Sequence, residues 1–167
     1  MEIVTGKSSY LTALMVAAGP ASSAVTTHLN IDTRHLEEDR SYTNQQNQFI
    51  LLASLRGILL DCSRSGWDGE KAVPITGSVI GNAIKVINTI PFTVGIPDIS
   101  PQPNGKIAFE WYLAPYHQLI ISVGPTSDVA YSALLGSQRI MGWKQLSLIS
   151  DLIEEMRAKY GLIPTIR

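Results

Sequence analysis

The chain of 167 residues has a single cysteine, Cys62. One thiol cannot form an internal disulfide, which excludes a fold held together by disulfide bonds within the chain. It also excludes a zinc site built from several thiolates. Cys62 ends the largely apolar run Ile58-Leu59-Leu60-Asp61-Cys62, so we predict a small core residue rather than a reactive thiol.

Charged residues are also scarce, at 16% of the chain, whereas apolar residues make up 45%. This composition excludes disorder along the whole chain, and the length fits one domain with its own core. The 13 basic and 14 acidic residues nearly balance. We therefore do not expect the generally basic surface that is typical of nucleic-acid-binding proteins.

No uninterrupted apolar run approaches the roughly 18 residues that a membrane-spanning helix needs, and we expect no membrane partner. The run Tyr10–Ala18, with Lys7 before it and Ser22-Ser23-Ala24 after it, has the outline of a secretory signal. Glu2 offsets Lys7, however, so the positively charged start of a signal is missing. We therefore predict a cytoplasmic protein.

The sequence of the first half of the chain predicts an N-terminal arm followed by two helices. Residues 1–25 are small and apolar and fit an arm, while residues 26–48 are polar and fit a solvated connection. We expect helices over Thr43–Cys62 and over Pro74–Ile90, since Pro74 suits a first turn and Pro91 ends a helix. The apolar stripe of the first helix is wide enough for cover on two sides, by the arm or by a second subunit.

The second half predicts a sheet followed by a helix. Alternating or β-branched segments over Lys106–Leu113, Gln118–Val123 and Asp128–Leu135 are joined by short connections, which favour antiparallel neighbours. Apolar residues from Leu146 to Tyr160 then recur at helical spacing, and Gly161 fits a C-cap. The predicted fold is one α+β domain with helices, a three- to four-stranded antiparallel meander and a C-terminal helix packed on the sheet.

The most distinctive string is Ser65-Gly66-Trp67-Asp68-Gly69-Glu70. One interpretation is that Trp67 and Asp68 contact a ligand or partner. The other is a structural turn, in which Trp67 covers the edge of the core and Asp68 caps a following N–H. Glu110, on a predicted strand, offers a second carboxylate, and a pair with Asp68 would suit a small metal-dependent hydrolase or nuclease.

Other sites for metal, cofactor or nucleic acid have weaker patterns. His28, Asp32 and His35 carry metal-ligating side chains in a polar segment. Phosphate-binding glycine loops and a dinucleotide-binding βαβ pattern are absent, so we expect no cofactor. Basic residues near the C-terminus provide an alternative, nucleic-acid-binding hypothesis, and they are Arg139, Lys144, Arg157 and Lys159.

A resemblance runs from Ser65 to Leu135. The G-W-D-G turn at residues 66–69, the proline-containing loop and the strand Gly105-Lys106-Ile107-Ala108-Phe109-Glu110-Trp111 occur in this order. In this respect the chain resembles a group of small bacterial proteins. The resemblance implies a bacterial or mobile-element origin, and it transfers no site residue because the group has no established activity.

The leading functional hypothesis is a non-enzymatic module that binds another protein. Accessory, immunity, antitoxin-like and inhibitor proteins work in this way. The chain shows no catalytic set, and it has more apolar residues than a thin sheet needs, which suits an interface with a partner or with a second copy. The aromatic residues that we expect to anchor the partner are Trp67, Trp111, Tyr112 and Tyr116.

Overall fold

This computed structural model describes residue 43 and residues 45–91 and 93–164. The predicted arm over residues 1–25 and most of the predicted connection over residues 26–48 lie outside the described residues. The described part has three helices and one sheet. It confirms the α+β class and the C-terminal helix, with five strands in place of the predicted three or four.

The first helix, α1, spans residues 45–62 and confirms the predicted helix. Its buried residues, Leu51, Leu55, Ile58 and Cys62, recur at steps of four, three and four and form one stripe along the helix. A second apolar flank of α1 is exposed among the described residues, and it consists of Phe49, Ile50, Leu52, Leu59 and Leu60. Cys62 is therefore a core residue, as predicted.

The second helix, α2, spans Gly77–Thr89 and begins three residues later than predicted. The preceding segment is held outside the helix by its own hydrogen bonds. The N–H of Val73 donates to the carbonyl of Pro103, and that of Ile75 to the carbonyl of Cys62. These bonds hold residues 73–75 outside the helix, so Pro74 does not occupy a first helical turn.

The sheet is an antiparallel meander in which the strands lie side by side in chain order. Its strands are β1 (Asp98–Pro101), β2 (Ile107–Ala114), β3 (His117–Val123), β4 (Asp128–Leu135) and β5 (Gln138–Gln145). The three predicted strands correspond to β2, β3 and β4. The two additional strands are the outer ones.

Local chemistry explains why both outer strands escaped prediction. β1 ends at Pro101, whose missing N–H excludes it from a central strand but is tolerated at a sheet edge. β5 follows a tight Gly136-Ser137 connection in which Gly136 has a φ of 61°. Gly142 interrupts the apolar pattern of β5, because the phenol of Tyr131 lies where its side chain would be.

A short 3₁₀ turn over Leu146–Leu148 leads into the last helix, α3, which spans Ile149–Tyr160. Its buried side chains are Ile149, Leu152, Ile153 and Met156. Gly161 adopts the left-handed conformation with a φ of 61°, and its N–H donates to the carbonyl of Arg157. This confirms the predicted C-cap.

Within the described residues, the helices cover one face of the sheet and leave the other face open. Buried residues of α1, α2 and α3 form one core with the alternate residues of the strands that include Phe109, Trp111 and Ile121. Asn82 links α2 to the sheet, because its side-chain amide donates to the carbonyls of Gly124 and Thr126 in the β3–β4 connection. No helix in the described part of the chain is long and apolar enough to cross a membrane.

Replacement of two glycines by alanine should have opposite effects on the stability of the fold. A Cβ on Gly105, which has a φ of 78°, would lie 2.9 Å from Val73 Cγ1, so we expect Gly105→Ala to lower the free energy of unfolding by about 1–3 kcal/mol. Gly81 lies inside α2 with open space at its Cβ, so Gly81→Ala should raise the free energy of unfolding by about 1 kcal/mol. Urea denaturation measures the free energy of unfolding of each variant. Equal changes in the two variants would contradict the packing around these glycines.

The buried position of Cys62 predicts slow alkylation of its thiol in the native protein. Burial raises the pKa of the Cys62 thiol, and the neighbouring Asp61 carboxylate raises it further. At any pH below that pKa the native thiolate fraction is therefore smaller than in the unfolded chain, and the reagent also has less access. We expect iodoacetamide at pH 8 to label native Cys62 at least tenfold more slowly than the urea-unfolded chain. Equal rates by mass spectrometry would place Cys62 outside the core.

Candidate interaction surface

The G-W-D-G loop is closed by its own hydrogen bonds. Asp68 Oδ1 accepts from the N–H of Glu70 at 2.9 Å and from that of Ala72 at 3.2 Å. The Trp67 indole N–H donates to the carbonyl of Val73 at 3.1 Å, and the half-buried ring packs against the core. Both side chains thus shape the turn between α1 and α2, which matches the structural interpretation of this string.

Trp111 belongs to the core. It is 2% exposed, and its indole N–H donates to the carbonyl of Gly95 at 2.6 Å. The N–H of Gly95 in turn donates to the carbonyl of Pro164. Trp111 therefore helps to join the segment before β1 to the segment after α3, and in this fold it is not part of the exposed surface.

The structure does not bring Asp68 and Glu110 into a common site. Glu110 lies half-buried in the middle of β2, where Glu110 Oε1 accepts from the side-chain amide of Gln118 at 2.6 Å. Asp68 belongs to the loop before α2, where its carboxylate caps the backbone. The two carboxylates thus serve separate local structures.

Metal-ligating residues form no cluster within the described residues. No group of three or more His, Cys, Asp or Glu side chains there is arranged to hold a metal ion. The candidates His28, Asp32 and His35 lie outside the described residues.

The four basic residues of the nucleic-acid hypothesis do not share one face. Arg139 pairs with Leu134 across β4 and β5 on the open side of the sheet, whereas Lys144 pairs with Val129 on the side of the helices. In α3, Arg157 forms an ion pair with Glu154 at 2.6 Å. Lys159 lies over the ring of Tyr160, 5.0 Å from its centroid. These positions leave Arg139 separated from the other three by the sheet.

The side chains on the open face of the sheet form cross-strand rows. The register of the strands defines these rows, since residues opposite each other share a face. The row through Trp143 is Ser100, Ala108, Ser122, Ala130 and Trp143. The row through Met141 is Asp98, Glu110, Ile120, Ser132 and Met141.

Three large side chains stand out from this face: Trp143, Met141 and Tyr112, which are 67%, 63% and 58% exposed. The ammonium of Lys106 lies 5.3 Å from the centroid of the Trp143 ring, a cation–π contact. β3 and β4 separate these two residues, so their side chains must extend toward each other across the small residues between them. Tyr112 lies on β2 at the end of a third row, with Gln118, Leu134 and Arg139, and does not contact the other two. We use the name open-face cluster for Trp143, Met141 and Tyr112, together with Lys106.

Tyr116 is also exposed, but it lies in the tight turn between β2 and β3. It has a left-handed backbone with a φ of 63°, and its carbonyl accepts from the N–H of Gly136. Of the four predicted anchors, Tyr112 alone therefore lies in the open-face cluster.

Trp143 and Met141 were absent from the predicted site because β5 was not predicted. A signal for this strand was present in the sequence. Gly136 and Ser137 separate two segments of strand length, which is the spacing of a tight β-hairpin. The apolar residues Met141 and Trp143 alternate with Gly142 and Lys144, as in a strand with one apolar face.

The comparisons with known proteins assign no family and no site. No family model matches the chain, and no curated protein or solved structure matches it.

Asp68 offers a test of its structural role. Removal of its carboxylate should free the two N–H groups that it caps, so we expect Asp68→Ala to lower the free energy of unfolding by about 1 kcal/mol. Asp68→Asn keeps an acceptor oxygen and should lose less. The hydrolase hypothesis predicts instead that Mn²⁺ raises the melting temperature of the wild type and not that of Asp68→Asn. Thermal unfolding with and without Mn²⁺ distinguishes the two.

Proposed function

We propose that this chain is a non-enzymatic protein-interaction module and that the open-face cluster is its contact surface. The supporting observation is the exposure of Trp143, Met141 and Tyr112 on one face of a regular sheet. Large aromatic residues dominate the energetics of protein interfaces, and tryptophan and tyrosine are enriched among interface hot spots.

The sheet itself favours such a role. Its five strands are hydrogen-bonded side by side, with one irregularity between Tyr112 and Ala114, and the helices pack against the opposite face. Side chains on this scaffold are held at fixed spacing, so less conformational freedom is lost on binding than at a mobile loop. The half-buried Ile120 and Leu134 extend the apolar area between the exposed side chains.

Charge on the open face indicates the chemistry of the partner. Lys106 and Arg139 lie with Trp143 and Met141, while Asp98 and Glu110 lie toward β1. A folded protein partner that fits this face presents apolar side chains to the cluster and acidic side chains to Lys106 and Arg139. We infer an accessory, immunity, antitoxin-like or inhibitor role in a bacterial or mobile-element setting, with a cytoplasmic location.

The test is a comparison of variants in partner capture and in binding. Tagged wild type is used to capture proteins from lysate of the native host, and a stoichiometric partner is then purified. We expect Trp143→Ala to raise the Kd for that partner at least tenfold and Tyr112→Ala to raise it less, because tryptophan supplies the larger buried area. Isothermal titration calorimetry measures each Kd.

Phe49→Ala is the matched control. Phe49 is a large apolar side chain with similar exposure, 73%, but it lies on α1. We expect its Kd to stay within threefold of that of the wild type. A partner that binds Trp143→Ala as tightly as the wild type would show that the open face is not the contact surface. A wild type that captures no stoichiometric protein would overturn the proposed function itself.

A further inference from the structure

The outer edge of β5 is long, and its protection is limited to two charged residues of this strand, Arg139 and Lys144. β5 is the last strand in the sheet order, and within the described residues no strand pairs with its outer side. The opposite edge is formed by β1, which has four residues and ends at Pro101, features that discourage further pairing. β5 has eight residues and no proline. Of the two edges, that of β5 is the one suited to accept another strand.

The hydrogen-bond pattern shows which backbone groups face outward. The N–H of Leu146 donates to the carbonyl of Ser127, directly beyond the last β4–β5 pair. Because bonded and non-bonded pairs alternate along antiparallel strands, the even-numbered residues of β5 bond to β4. The odd-numbered residues direct their N–H and C=O groups to the open edge, and they are Arg139, Met141, Trp143 and Gln145.

We propose that a second copy of this chain pairs with this edge, β5 against β5, in an antiparallel register centred on Gly142. In this register Met141 of one copy lies opposite Trp143 of the other, and Arg139 lies opposite Gln145. All four outward-facing residues then form bonded pairs, and each pair exchanges two backbone hydrogen bonds. The two five-stranded sheets join into one, with both open faces on the same side.

Self-complementarity of the edge is what selects a second copy. The register places methionine sulfur against an indole on the open face, a favourable contact that occurs once on each side of the two-fold axis. It places no like charges opposite each other, since Arg139 faces Gln145 and Lys144 faces Ile140. Each chain carries a formal net charge of only −1, so repulsion between copies is small.

The centre of the register suits a two-fold axis. Gly142 has no side chain, and a Cβ there would lie 2.7 Å from the hydroxyl of Tyr131. The Tyr131 ring therefore covers Gly142 on the helix side, close to the edge of the sheet. In the paired form the two Tyr131 rings come to lie on either side of the axis and add apolar contact.

Gln145 allows a specific test. Its φ of −67° matches the fixed φ of proline, and its N–H points away from β4. Gln145→Pro thus removes an outward N–H and places a ring at the edge, while the monomer keeps its hydrogen bonds. Gln145→Ala is the matched control, since it shortens the side chain and keeps the N–H.

We expect the wild type to pass from monomer to dimer as its concentration rises, with a Kd on the order of micromolar, as befits a small interface. Gln145→Ala should stay within threefold of that Kd, and Gln145→Pro should raise it at least tenfold. Sedimentation equilibrium from 1 to 500 μM measures the Kd. Equal melting temperatures of the two dilute variants would show that the proline leaves the monomer intact.

Hydrogen exchange locates the interface. The amides of Met141 and Trp143 should exchange more slowly at high concentration in the wild type and not in Gln145→Pro. A wild type that remains monomeric at 500 μM would overturn the proposal, as would a dimer that Gln145→Pro leaves unchanged or one that protects α1 instead of β5. The pairing does not rest on the proposed function, because a monomeric Gln145→Pro variant can still be tested for partner capture.

Discussion

The packing of three helices against only one face of an antiparallel sheet is the constraint on which the rest of the structure depends. Side chains alternate along a strand, so each residue that enters the core places its neighbours on the opposite face. Phe109 and Trp111 are fully or almost fully buried, while Glu110 and Tyr112 face outward. The open face is thus a direct product of the pattern that builds the core, and the small residues in its rows leave room for the side chain of Trp143 to lie across the sheet.

How far the sequence predicts the fold depends on the number of neighbours of each element. The three inner strands and α3 have strong apolar patterns because packing on one face selects their residues, and these elements were predicted. The edge strands have one neighbour each, which relaxes that selection and admits Pro101 into β1 and Gly142 into β5. The prediction of the anchor residues was limited in a similar way. Alternation places Trp111 and Tyr112 on opposite faces, but the sequence pattern does not say which face the helices cover, so both were predicted as anchors.

Two exposed apolar surfaces, the α1 flank and the open-face cluster, are candidates for the contact surface, and they differ in their surroundings. The α1 flank that includes Phe49 and Leu60 lies on the first described helix, and apart from residue 43 the chain before this helix lies outside the described residues. From the sequence, we expect this flank to be covered either by the N-terminal arm or by a second subunit. The open-face cluster is formed by described residues, three of them in strands, and no helix of the described part of the chain lies over it. We therefore propose the sheet as the contact surface, and α1 supplies the control position.

The open face and the free edge of β5 are coupled by strand geometry. In β5 the residues whose backbone groups point outward are also those whose side chains lie on the open face, because both properties alternate with the same period. Any strand that pairs with this edge must therefore bring its own side chains beside Met141 and Trp143. With a second copy as the added strand, the exposed residues of both chains converge around one axis. A partner that contacts Trp143 would then bind a surface composed of two chains, and its affinity would depend on whether the edges are paired.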